Sequence, residues 1–203
     1  MLVDLEDRML WKETKSGEFS VKSLYGALET RNATLFSWNI MWNLFVSSKG
    51  GFFTWEASWG KVLTLDQLKR RGWIVANRCF LCPVEEESID HFLIHCSKAK
   101  VLWELIFALF GVTWVLPSSV KETLLGWNGS FVGKKHQKVW KVAPLCLFWT
   151  IWKERNRITF ENEEFLVQKL KISFICNYWS WAKLFIDVGL LSLINHFDWL
   201  GSK

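Results

Sequence analysis

Cys79-Phe80-Leu81-Cys82 is a Cys-x2-Cys pair; after eight intervening residues comes His91, and after four more comes Cys96. Two cysteines at that separation can wrap a tight turn that aims both sulfurs at one ion. A second pair, from a following loop, then completes the tetrahedron of nitrogen and sulfur that zinc prefers. Pro83 stops regular structure just after the first pair. The run Glu85-Glu86-Glu87 is too polar for a core and reads as an exposed link between the two ligand pairs. The competing readings are two buried thiols or a redox pair, with His91 a satisfied core histidine. Four ligand-type residues at finger-like spacing weigh against the first, and the lack of a βαβ setting weighs against the second. The spacing therefore predicts one closed structural zinc site at Cys79, Cys82, His91 and Cys96.

The fourth ligand is open to a rival. His91 and His95 are four apart and share a face of a regular helix, whereas His91 and Cys96, five apart, do not. Ser97 reads as the start of another helix, and a break there lets Cys96 turn back. Thiolate is also the stronger zinc ligand, which places Cys96 ahead of His95. Cys146 and Cys176 sit in apolar runs and read as small core residues.

A metal knuckle occupies little of a chain of 203 residues, which has room for one large domain or two small ones. Half of it is apolar and 15 residues are Trp, against 3 Pro, a balance that favours helices over a loop-rich β fold. The expected fold is mainly α. A small β-hairpin opens it (Leu10–Lys12 and Glu18–Val21 around Lys15-Ser16-Gly17), leading into a helix that ends near residue 28. Helical spacing follows at 36–45, broken by Ser47-Ser48-Lys49-Gly50-Gly51, and then at 52–59 with Phe52, Trp55 and Trp59 on one face. Further helices are expected at 64–71 (capped by Thr64 and Gly72), 97–110 (closed by Gly111), 119–126, 137–160 and 163–186, with a short tail ending at Trp199. No internal repeat is present. The division is a zinc-binding domain over 8–103 and a helical extension over 104–203.

Five cysteines make an odd count for a disulfide framework. Met1-Leu2-Val3-Asp4-Leu5-Glu6-Asp7-Arg8 has acids where a signal peptide needs a basic start. The longest apolar run, Val142 to Trp152, is shorter than the roughly 18 residues of a membrane span and holds Pro144. The expectation is a soluble protein in a reducing intracellular setting, the nucleus among its candidate compartments, with no membrane partner. The net charge of +5 and pI near 9.0 suit a nucleic-acid partner, and suit an ordinary solvated surface as well.

Several spaced motifs agree in order with a known family: Gly17-Glu18-Phe19-Ser20-Val21-Lys22-Ser23-Leu24-Tyr25, the run from Trp55 through Gly60-Lys61-Val62-Leu63-Thr64-Leu65 to Arg70-Arg71-Gly72, the Cys79–Cys82 pair, Glu87-Ser88, Asp90-His91-Phe92-Leu93, His95-Cys96 and Leu102-Trp103. Over 8–103 the chain resembles the reverse-transcriptase zinc-binding domain found at the C-terminal end of plant non-LTR retrotransposon polyproteins. Trp152-Lys153-Glu154-Arg155-Asn156 and Phe160 are similar to the segment that trails that domain. One departure is Ser48-Lys49-Gly50-Gly51, where the family usually shows a Pro-Lys step. The resemblance implies zinc as cofactor and contact with the element's RNA or its DNA target. Members often bear a ribonuclease H label, which this sequence does not support. Its aspartates (4, 7, 66, 90, 187 and 198) are scattered, with no strand-rich setting to gather carboxylates around magnesium ions.

Lys69, Arg70, Arg71 and Arg78 are the candidate phosphate contacts, with Trp73 or Phe80 to stack on an unpaired base. The bland alternative is that Arg78, Lys98 and Lys100 only offset a three-thiolate site. Lys134, Lys135, Lys138 and Lys141 read equally as a solvated helix end, and the tryptophans as core. Two functions follow: a non-catalytic, nucleic-acid-contacting zinc module with no small-molecule substrate, or a structural or protein-interaction remnant, a gene fragment, whose zinc only holds the fold.

Overall fold

The computed structural model describes residues 48–127, 132–133, 136–161 and 163–185. The expected hairpin, the helix ending near residue 28, the helix at 36–45 and the tail to Trp199 lie outside the described residues. What is described is helical: α1 (Ser48–Ser58), α2 (Leu65–Arg70), a π-helical turn (His91–His95), α3 (Ser97–Phe110), α4 (Val120–Gly126), α5 (Gln137–Glu161) and α6 (Val167–Ala182), with a 3-10 turn at Lys183–Phe185. No strand occurs among the described residues.

α5 is the axis. From Val139 to Ile151 nearly every side chain is buried, on all sides of the helix, and a helix apolar all round must be surrounded. α6 lies along it, and α1, α3 and the π turn pack against it as well. Pro144 sits inside α5. It has no N–H to give the carbonyl of Trp140, four residues earlier, a loss that ordinarily breaks a helix. Here the Trp127 indole N–H donates to that carbonyl at 2.8 Å, and the Trp140 indole N–H donates back to the Trp127 carbonyl at 3.2 Å. The two rings stack at 4.0 Å between centroids. A proline that would open the helix is thus stitched by a tryptophan from the end of α4.

α1 departs from expectation in two ways. The Ser48-Lys49-Gly50-Gly51 segment, expected to interrupt helical structure, is itself helical within α1, with both glycines buried. A Cβ on Gly50 would meet the Trp181 ring of α6 at 2.5 Å, so the glycine permits that close approach. The buried face is Phe53, Thr54 and Ala57, not Phe52-Trp55-Trp59, and Phe52 and Trp59 are exposed. The helical spacing misled because Phe53, on the other face, stacks on Trp152 at 5.1 Å. No helix among the described residues is long and apolar enough to cross a membrane.

Candidate metal centre

The Cys-x2-Cys segment folds as a loop closed by the Cys79 amide, which donates to the Glu85 carbonyl at 2.8 Å. Cys79 and Leu81 are buried and Cys82 is half-buried. The second half begins where the His91 amide donates to the Ser88 hydroxyl oxygen at 3.1 Å. It ends where the Cys96 amide donates to the His91 carbonyl at 2.6 Å, a bond spanning five residues. In a regular α-helix, residues five apart point about 140° away from each other. The π turn removes that mismatch by closing its hydrogen bond one residue later, so Cys96 comes round above His91.

The Sγ atoms of Cys79, Cys82 and Cys96 and a ring nitrogen of His91 all lie within 4.8 Å of one another. The Cys82 Sγ and His91 Nε2 are 3.3 Å apart. With Zn–S near 2.3 Å and Zn–N near 2.0 Å, a tetrahedral site has edges of about 3.5 to 3.8 Å, so an inward shift of at most about 1 Å seats the ion. This three-cysteine, one-histidine set is suitable for zinc. His95 is not part of it: its Nε2 lies 3.0 Å from the Ser118 carbonyl oxygen, at an exposed position.

Electrostatics prepare the cluster. The Cys79 thiol is pushed strongly up, first by its hydrogen bond to Cys96 and then by burial. That same bond pulls Cys96 down, and the Lys98 and Ala99 amides at the start of α3 add to it. That hydrogen bond favours the proton on Cys79, and the start of α3 favours negative charge on Cys96. Burial pushes His91 below its ordinary value, keeping the imidazole neutral as a ligand must be. Cys79 and Cys96 are covered, whereas Cys82 and His91 line a cleft of about 430 Å³ together with Glu85, His95 and Lys100.

Glu87 corrects the expectation of an exposed acidic link. Glu85 and Glu86 are exposed, but Glu87 is fully buried. Its Oε1 takes Arg155 Nη2 at 2.7 Å and the Leu65 amide at 3.0 Å, while Oε2 takes Arg155 Nε at 3.2 Å. The guanidinium lies over the rings of Phe80, at 4.8 Å, and Trp152, at 5.4 Å. Asn77 Oδ1 accepts from the Glu87 amide at 2.9 Å. One carboxylate thus ends the metal loop, caps α2 and is gripped by α5, so Glu87 and Arg155 are structural residues that the sequence reading missed. Both stood within motifs quoted above, Glu87-Ser88 and Trp152 to Asn156, but nothing in a separation of 68 positions joins them.

The four basic candidates, Lys69, Arg70, Arg71 and Arg78, are all exposed. Arg70 reaches Asp66 at 3.9 Å with its side chain 74% exposed, a surface pair of little strength. Lys98 instead lies over the Phe165 ring at 5.4 Å.

A helical scaffold with a closed cluster of three cysteines and a histidine defines a zinc-binding module. Residues 19–103 match the family model described as zinc-binding in reverse transcriptase, the family resembled on sequence motifs. A protein from Arabidopsis thaliana named "Putative ribonuclease H protein" is 29% identical over 107 residues, covering 51% of this chain and 17% of that protein. The chain thus matches about a sixth of the length of that curated relative. No solved structure matches.

Proposed function

We propose that this chain is a non-catalytic zinc module of a retroelement polyprotein, in which Cys79, Cys82, His91 and Cys96 hold one zinc ion and Lys69, Arg70, Arg71 and Arg78 contact RNA or DNA. The convergence of four protein ligands carries the reading. Four protein ligands fill a tetrahedral ion, leaving no open position for the water that a catalytic zinc activates. Three carboxylates have other work: Glu87 is held by Arg155, Asp90 accepts from the Val120 amide, and Glu154 pairs with Arg157. Glu85 lines the cleft with no second carboxylate among the described residues that line it. No carboxylate-rich group able to hold a metal occurs among the described residues. The chain covers 17% of the relative named for ribonuclease H, and that activity is not carried over to it. In this scheme 8–103 is the zinc-binding unit and 104–203 the helical extension that braces it.

A second reading, a scaffold whose zinc only holds the fold, draws support from the Glu87 clamp, which gives the metal loop a structural task without any partner. Binding of single-stranded RNA at several salt concentrations separates the two. Contact with three or four phosphates gives a log–log salt slope of about −2 to −3, reduced in magnitude by about 1.4 in an Arg70→Ala/Arg71→Ala variant. Absence of binding at low salt by zinc-loaded protein overturns the first reading and leaves the scaffold.

A further inference from the structure

The stretch joining α2 to the cluster is built unlike a solvated linker. The Gly72 amide donates to the Lys69 carbonyl at 3.0 Å and the Trp73 amide to the Leu68 carbonyl at 3.1 Å. Gly72 has φ +88. This is the paired-bond helix ending that needs a left-handed glycine, and it fixes the direction of the chain that leaves the helix. Trp73, the first residue beyond, is 64% exposed, and Ile74 is fully exposed. No ring or cation lies over Trp73 among the described residues. From there to Cys79 the backbone has no regular structure, and Arg78 stands exposed at its far end. Lys69, Arg70 and Arg71 stand at the near end. A large apolar ring is thus held out to water just after a helix ending, with Lys69, Arg70 and Arg71 before it in sequence and Arg78 after it, in a stretch joined at its ends to α2 and to Cys79.

Other aromatic residues near the cluster are engaged. One face of Phe80 is taken by the Arg155 guanidinium, and Lys121 lies over Trp59 at 5.5 Å. We propose that Trp73 stacks on an unpaired base, while Arg70, Arg71 and Arg78 hold the flanking phosphates, so that this surface selects single-stranded over double-stranded nucleic acid. The inference rests on the nucleic-acid reading above and specifies its ligand. A base inside a duplex has both faces covered by its neighbours and offers nothing to an exposed indole, whereas every unpaired base has a free π-face. Cations alone do not discriminate in this way, because both forms carry phosphate.

The experiment uses the full chain loaded with zinc, an oligouridine of about a dozen nucleotides and an RNA duplex of similar length. One stacked base lost on alanine substitution corresponds to about a 5- to 150-fold weaker dissociation constant. Trp73→Ala is expected to weaken oligouridine binding within that range, to leave duplex binding within about twofold, and to leave the salt slope unchanged. Trp73→Phe, which keeps a ring, is expected to restore most of the single-strand affinity. Near-unchanged circular dichroism and zinc content in both variants show that the fold is kept, as an exposed position allows. Equal losses on the two nucleic acids, or no loss on either, overturn the stacking inference while leaving phosphate contact standing. Failure of the unsubstituted protein to bind either one overturns both.

Discussion

Replacing Arg155 with methionine tests how the metal loop is anchored to the helical scaffold. The substitution removes two hydrogen bonds to Glu87, at 2.7 and 3.2 Å, and a cation lying over two rings. Its larger effect is to leave the Glu87 carboxylate at zero exposure with the Leu65 amide as its remaining partner on that side. Breaking a buried pair by deleting one member costs about 3–5 kcal/mol, because the abandoned charge stays desolvated. For a domain of this size each kcal/mol lowers the melting temperature by about 2–4 °C, giving a fall of roughly 6 to 20 °C. The Glu87→Gln/Arg155→Met double variant keeps an acceptor for Leu65 and carries no stranded charge, so it is expected to recover part of that loss. Near-ultraviolet circular dichroism during heating follows the transition, since buried Trp103, Trp127 and Trp140 report on the core. The single variant is also expected to hold zinc less tightly, because the loop between the two ligand pairs loses its anchor. A loss under about 1 kcal/mol, with a double variant no better than the single, would refute the claim that this pair is a desolvated clamp.

Further outcomes are expected of the cluster itself. Cys96→Ala lowers zinc affinity far more than His95→Ala, since the His95 ring nitrogen faces the Ser118 carbonyl; equal losses in a chelator competition would show the fourth ligand misassigned. Alkylation followed by mass spectrometry reaches exposed Cys176 at once and spares buried Cys146; once zinc is stripped, Cys82 at the cleft is modified before Cys79 or Cys96, and early modification of either buried thiol refutes the described cover. Zinc retention weakens as the pH falls from about 8 to about 6, by at least tenfold per unit, because the ion must displace protons from thiols such as Cys79, whose proton is held more tightly than usual. His91 acts in the same direction: its folded value lies below the ordinary 6.5, so as the pH drops through that range the unfolded chain takes up a proton that the fold refuses, and stability falls. A zinc affinity flat across this interval would refute the proton assignment.

Much of the helical frame was legible because its signals are local. Gly111, a left-handed glycine after an apolar period, closed α3 where expected, and Ser119 caps α4 through the Glu122 amide. The convergence of the four ligand residues was legible from spacing alone, although the fourth ligand was ambiguous on a regular helix. What brings Cys96, and not His95, beside the other three is a change of helix type that no propensity encodes, since a π turn is stabilised by what it brings together. The face of α1 and the burial of Glu87 were not legible for a related reason. Each is decided by a partner far along the chain, Trp152 for Phe53 and Arg155 for Glu87, and a window of neighbouring residues contains neither.

The π turn also acts as an indexing device. α3 begins directly after Cys96, so the rotational phase of that helix is inherited from the turn that seats the ligand. Its buried stripe of Ala99, Leu102, Trp103 and Ile106 faces the core only at this phase. Each residue in a helix advances the side-chain direction by about 100°. Deleting one residue between His91 and Cys96 would convert the turn to ordinary α and leave a spacing that also suits metal ligation. It would at the same time swing the stripe about a quarter-turn away from α5 and part the Trp103 indole N–H from the Leu93 carbonyl, which it meets at 2.9 Å. The five-residue step between His91 and Cys96 therefore sets the docking angle of a 14-residue helix, so insertions and deletions in this turn are constrained by the hydrophobic core as strictly as by the metal.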